Sequence, residues 1–183
     1  MRWLTLYARS RQIPLAVAAA LITTFTVWTI FDAPNPKIAA LALITAIAVL
    51  STGLTGQDPH LDRTAALRWL PRRAAHVLFI AATAAALLLA FTTDLAPIAF
   101  VVRDTAGLTG LAALTATTFG GQYAWTLPIG WFAVAYFIPL SDDLPVRIAR
   151  WMLLAPDAAV GAWTAWGLAA AGTAVYALGG PRR

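Results

Sequence analysis

Six long apolar stretches divide this chain, and almost no charge falls inside them. They cover residues 13–31, 38–54, 74–91, 98–121, 123–140 and 158–178. An α-helix needs about 17 to 25 mostly apolar residues to cross the hydrocarbon core of a bilayer. No water reaches the backbone N–H and C=O groups there, so a segment of this length must satisfy them along itself, as a helix. The pattern predicts an all-α, polytopic membrane protein with six transmembrane helices. Of its 183 residues 60% are hydrophobic and 11% are charged, whereas a soluble domain carries about 25% charged residues. The stretches leave room only for links between them, so residues 1–183 are expected to form a single transmembrane domain.

What is missing narrows the chemistry. There is no cysteine, which excludes disulfides, thiolate nucleophiles and Cys-ligated metals. All eight acids are aspartate, and the only lysine is Lys37. The residues before Lys37, Ala33-Pro34-Asn35-Pro36, are not the Gly-rich turn that a phosphate-binding loop needs. ATP hydrolysis by that route is therefore not expected here. Ser51 and His76 are both near the inner ends of their stretches, but Val49-Leu50-Ser51-Thr52-Gly53 lacks a nucleophile elbow. Asp142-Asp143, with no His or Glu nearby, reads as a helix N-cap rather than a metal site. Neither a catalytic nor a metal-binding group emerges, and no cofactor is expected in the chain.

Charge sets an expected orientation. With the N-terminus inside, the inner segments carry Arg2, Arg9, Arg11, Arg63, Arg68, Arg72, Arg73, Arg182 and Arg183, and the outer ones carry Lys37, Arg103, Arg147 and Arg150. The positive-inside rule then places both termini in the cytoplasm, at the plasma membrane. The net charge of +5 suits anionic lipid headgroups, and no nucleic acid is invoked. Trp28 would sit in the outer aromatic belt, with Trp3, Trp69 and Trp125 in the inner one.

The links carry structure of their own. Residues 1–12 are short, basic and aromatic, the pattern of a helix lying in the membrane interface. Between the second and third stretches Asp58 and Pro59 read as an N-cap and first helical residue, and Pro71 as a stop. Leu61, Ala65 and Trp69 repeat at i, i+4 and i+8, so this inner link predicts a short amphipathic helix. His60, Leu61, Asp62, Arg63, Arg68 and Trp69 are its candidate contacts. It either docks a soluble partner or rests on lipid. Between the fifth and sixth stretches, residues 144–154 are apolar and helical in pattern but too short to span, which predicts a re-entrant or interfacial outer helix.

The fourth stretch is the unusual one. If it begins at Ile98, Arg103 and Asp104 lie about 8 Å below its outer end, where ionisable groups are costly. Adjacent residues point about 100° apart on a helix, so the two are expected not to pair ideally but to snorkel toward the outer interface. The alternative is that they mark a polar pathway, with Thr109 and Thr115 further along the same helix. Small and hydroxylated residues there also suit close helix packing. In the fifth stretch Trp125, Ile129, Phe132 and Tyr136 share one face; Trp125, Phe132 and Tyr136 either pack, or line a passage for an amphipathic substrate.

The order of parts resembles the membrane subunit of ABC-2-type transporters. That order is an interfacial N-terminal helix, two spans, a cytoplasmic amphipathic helix, three spans, an outer helix and a last span. The stretches LYARSRQIP (6–14) and RDTAGLTGLAALTATTFGG (103–121) are similar to small actinobacterial permeases of that kind. The resemblance implies a permease subunit of an ATP-driven exporter, paired with a second permease copy or homologue. ATP and Mg²⁺ would bind a separate cytoplasmic ATPase docked on the helix between spans two and three. The other reading left open is a non-enzymatic scaffold or accessory subunit of a membrane complex.

Overall fold

A computed structural model describes residues 13–30, 35–54, 69–91 and 96–182. Among these the chain is all-helical, with seven α-helices: α1 (Ile13–Ile30), α2 (Pro36–Leu50), α3 (Trp69–Phe91), α4 (Ile98–Thr118), α5 (Thr126–Phe137), α6 (Leu144–Ala149) and α7 (Ala159–Gly179). Three 3-10 turns accompany them, at Ser51–Leu54, Gly121–Tyr123 and Trp151–Leu153. Three helical segments are long and apolar enough to cross a membrane: Pro36–Leu54, Trp69–Ala90 and Ile98–Thr118. This is an all-helical membrane protein.

The six expected spans are thus met only in part, for local reasons. The fifth stretch gives just 12 helical residues, about 18 Å. It is trimmed at its start by Gly120, held at φ 105°, and the 3-10 turn that follows. At its end Ile138 turns extended, at ψ 130°, because a residue before proline (here Pro139) is pushed out of the helical region. α7 has 21 residues but is not among the segments long and apolar enough to cross. The described apolar part of α1 is Pro14–Thr26. The interfacial segment 1–12, and the inner link with His60, Leu61, Asp62, Arg63 and Arg68, lie outside the described residues. Pro71 does not act as a stop, since helix is continuous through residues 69–91.

α2 starts where the sequence signals it. The Asn35 side chain accepts from the Lys37 backbone N–H at 2.9 Å, and Pro36 occupies the first turn. Tertiary hydrogen bonds sort the helix ends into two sets. At one end the Tyr176 hydroxyl donates to Leu54 O at 3.1 Å, and the Arg182 backbone N–H donates to Ala116 O at 2.9 Å. Gly180, at φ 70°, lies against the Arg73 guanidinium there. At the other end Arg103 reaches Leu154 and Ala155, and Trp131 Nε1 donates to Ala149 O at 2.9 Å. Helices therefore alternate in direction along the chain.

α4 is the hub. Most of its residues are buried, and α2, α3, α5 and α7 all pack on it. Its most extensive partner is α7, and glycine makes that seam. A Cβ on Gly172 would lie 2.1 Å from the Gly110 carbonyl oxygen, so the two backbones touch. Such close approach gains dispersion contacts that lipid tails cannot supply. The outward face of α7 is apolar and exposed, with Trp163, Trp166 and Leu178 on it.

This seam makes a paired prediction for thermal unfolding in detergent. Gly172→Ala must push backbone apart and should cost about 1–3 kcal/mol. Gly167→Ala, where a Cβ would meet nothing within 4 Å, should be neutral or gain about 0.5–1 kcal/mol from helix propensity.

Candidate functional site: a buried arginine at one end of the bundle

The fourth stretch is one helix from Ile98, so Arg103 and Asp104 are inside it. Both are buried, with side chains 4% and 0% exposed. The expectation that they snorkel outward, unpaired, is corrected. Arg103 Nε donates to Asp104 Oδ1 at 2.7 Å. Helical geometry sends the two Cβ atoms apart, but the arginine stem is long enough to fold its Nε back across the gap.

The rest of the guanidinium turns toward the segment entering α7. Nη1 donates to Ala155 O at 2.7 Å and Nη2 to Leu154 O at 2.9 Å. The chain leaves the helical conformation there, with Leu154 extended at ψ 157°; the Ala155 carbonyl also accepts from the Ala158 N–H at 3.0 Å, so the guanidinium uses its second lone pair. Glycine makes the space, since a Cβ on Gly161 would sit 3.1 Å from Arg103 Nη1. The guanidinium carbon also lies 5.3 Å from the Phe100 ring centroid, within cation–π range. One cation thus joins α4 to a segment some 51 residues further along the chain.

What it holds is the link between α5 and α7. The helix expected over 144–154 is broken in two, α6 and the 3-10 turn, by a change of direction at Arg150. α6 buries none of its residues, whereas Trp151 and Met152 in the turn are fully buried. The Trp151 ring lies over Gly107 of α4, where a Cβ would be 2.9 Å from its Cζ3. Arg150 Nη1 donates to Ile138 O, which ties the start of the turn to the end of α5. Asp143 stands at the N-cap of α6 but does not cap it; its carboxylate accepts from the Ser141 hydroxyl at 2.6 Å.

The remaining candidates separate. Thr109 and Thr115 are buried on α4. The Thr115 hydroxyl donates to Leu111 O at 2.8 Å, an ordinary helical back-bond. Phe132 is half-buried, while Trp125 and Tyr136 are exposed. Tyr136 carries the Lys37 ammonium 4.7 Å from its ring centroid. Trp69 begins the described part of α3, and the Arg72 guanidinium lies 5.9 Å from its ring centroid. The Ser51 hydroxyl is turned onto Ala48 O at 2.8 Å, so it is not poised as a nucleophile. Reading the sequence missed the acceptors of Arg103, because main-chain carbonyls leave no mark on side-chain identity.

Among the described residues no group of three or more His, Cys, Asp or Glu could hold a metal ion. No protein-family model matches the chain, and no curated protein or solved structure matches it either.

Removing one member of a buried pair leaves the other charge uncompensated. Arg103→Met should destabilise the protein by about 3–5 kcal/mol, and Arg103→Met with Asp104→Leu should recover part of that loss. A double-mutant cycle read by thermal unfolding measures the coupling.

Proposed function

We propose that the chain is the membrane subunit of an ATP-driven exporter, built like an ABC-2-type permease. In this reading α1, α2, α3, α4, α5 and α7 are six membrane crossings, α5 being completed by the 3-10 turn before it and the extended residues after it. Both termini lie in the cytoplasm, and the bilayer is the plasma membrane. The described end with Arg72, Arg73 and Arg182 has no acid, while the opposite end mixes Lys37, Arg147 and Arg150 with Asp142, Asp143 and Asp157. That asymmetry favours the basic end as the inner one.

One observation carries the reading: the outer segment between α5 and α7 folds back into the bundle and buries Trp151 and Met152. A broken, partly buried outer element in this place is what the resemblance to ABC-2 permeases implies. The outward faces of α5 and α7 remain for lipid and for a second permease subunit. The inner link 55–68 would receive a separate ATPase, with Asp62, Arg63 and Arg68 as contacts.

A scaffold or accessory subunit is the second reading. It is favoured by the tight α4–α7 seam. Copurification decides between the two. The exporter reading expects an ATP-binding subunit to follow the tagged chain out of native membranes, with or without nucleotide; none in either preparation sinks it. Asp62→Arg with Arg63→Asp should reduce that recovery by about tenfold or more, since like charges facing each other at an interface cost several kcal/mol. Membrane insertion should be unchanged.

A further inference from the structure

Two arginines come together at the end of the bundle opposite Arg103. A Cβ on Gly180, just after α7, would lie 2.6 Å from Arg73 Cζ, 2.7 Å from Nη2 and 2.8 Å from Nη1. The near-equal distances mean that the guanidinium presents its face to the Gly180 backbone. Its N–H groups lie in its plane, so they point past the glycine rather than into it. Two residues on, the Arg182 backbone N–H donates to Ala116 O at 2.9 Å and its Nη1 to Thr118 O at 3.3 Å. Two residues of chain reach at most about 7 Å. The start of α3 and the ends of α4 and α7 therefore converge on both cations. Arg72 adds a third charge beside Arg73.

These arginines differ from Arg103 in what they lack. Arg103 gives Nε, Nη1 and Nη2 to acceptors. Among the described residues the half-buried Arg73 makes no hydrogen bond or ion pair, and the exposed Arg182 side chain makes only its bond to Thr118. No acid among the described residues stands at this end. The rigid fork of a guanidinium matches the oxygens of a phosphate. Apolar surface adjoins the two cations. Phe119, 60% exposed, follows Thr118, and Leu178, 73% exposed, precedes Gly180 by two residues.

We propose that Arg73 and Arg182, where α3, α4 and α7 converge, bind the phosphate of one anionic phospholipid. The ends of membrane-crossing helices lie at headgroup level, and basic pockets between such helices hold anionic headgroups. The cations face the headgroup, and the exposed Phe119 and Leu178 give its acyl chains an apolar surface. A free anion would use the first feature and leave the second bare. Gly180 makes the cradle, since any side chain there would displace the Arg73 guanidinium. The inference does not depend on the transport reading.

The test is thermal unfolding of the full chain in a neutral detergent, with phosphatidylglycerol, phosphatidylcholine or inorganic phosphate added. Phosphatidylglycerol should raise the melting temperature by about 5–10 °C once it reaches ~100 times its dissociation constant. The other two, at the same concentration, should not. Arg73→Gln and Arg182→Gln should each weaken the apparent affinity about fivefold, the effect of ~1 kcal/mol per arginine at an anionic surface. Each variant is compared with its own lipid-free melt. Should Arg73→Gln not fold, Arg182→Gln carries the test alone, because that side chain is exposed. Lys37→Gln with Arg147→Gln removes equal charge from the opposite end and should leave the affinity unchanged. An equal loss in that control overturns the site in favour of a diffuse field. An equal rise with inorganic phosphate overturns it in favour of a free anion, and an equal rise with phosphatidylcholine in favour of lipid in general. No response to phosphatidylglycerol also overturns it. If Asp58→Asn with Asp62→Asn then lowers the melting temperature, the arginines belong to carboxylates of the 55–68 link.

Discussion

A guanidinium that leaves water carries five N–H groups and a positive charge, so it dictates its surroundings. Arg103 is such a group, and one end of the bundle is arranged around it. Its Nε takes the neighbouring carboxylate; its two terminal nitrogens take main-chain carbonyls from the segment that enters α7. The chain is extended at Leu154, and the Ala155 carbonyl accepts both the guanidinium and the Ala158 N–H. Gly161 must lack a side chain for α7 to come so close. Gly107 must lack one for the Trp151 ring to lie flat on α4. The broken helix, the glycines and the buried indole all lie around this one buried cation.

That arrangement divides the labour between the two ends of the α4–α7 pair. Toward the Arg103 end they are joined through polar bonds and the turn inserted between them. In the middle they meet backbone to backbone at Gly110 and Gly172. At the opposite end the chain after α7 returns to α4, where Arg182 bonds Ala116 and Thr118. The pair is therefore fixed along its whole length. α5 and α6 sit at its margin, exposing Phe137, Leu140 and Leu144. In an exporter the moving parts would be these marginal elements, with α4 and α7 as the frame.

Much of this architecture is legible in residue order. The apolar runs locate the long helices, Asn35-Pro36 gives the start of α2, and the short apolar pattern after Ser141 announces an outer element that does not span. The shortened α5 was also written in the chain, as Gly120 before it and Pro139 after it, but an apolar run of full length masked both. The pairing of Arg103 with Asp104 was illegible for a different reason. Helical angles fix where Cβ atoms point, not where a long side chain can reach, and its other partners are carbonyls with no sequence signature.

The central claim is that Arg103 holds the Trp151–Leu153 turn inside the bundle. The chain has no cysteine, so one introduced at Met152, which is 0% exposed, reports on that turn alone. Labelling of Met152→Cys by a membrane-impermeant maleimide should be slow while Arg103 is present. Adding Arg103→Met should speed it about tenfold for every ~1.4 kcal/mol lost from the closed arrangement. An unchanged labelling rate in the double variant would contradict the account, because the turn would then be held by its apolar contacts and not by the guanidinium.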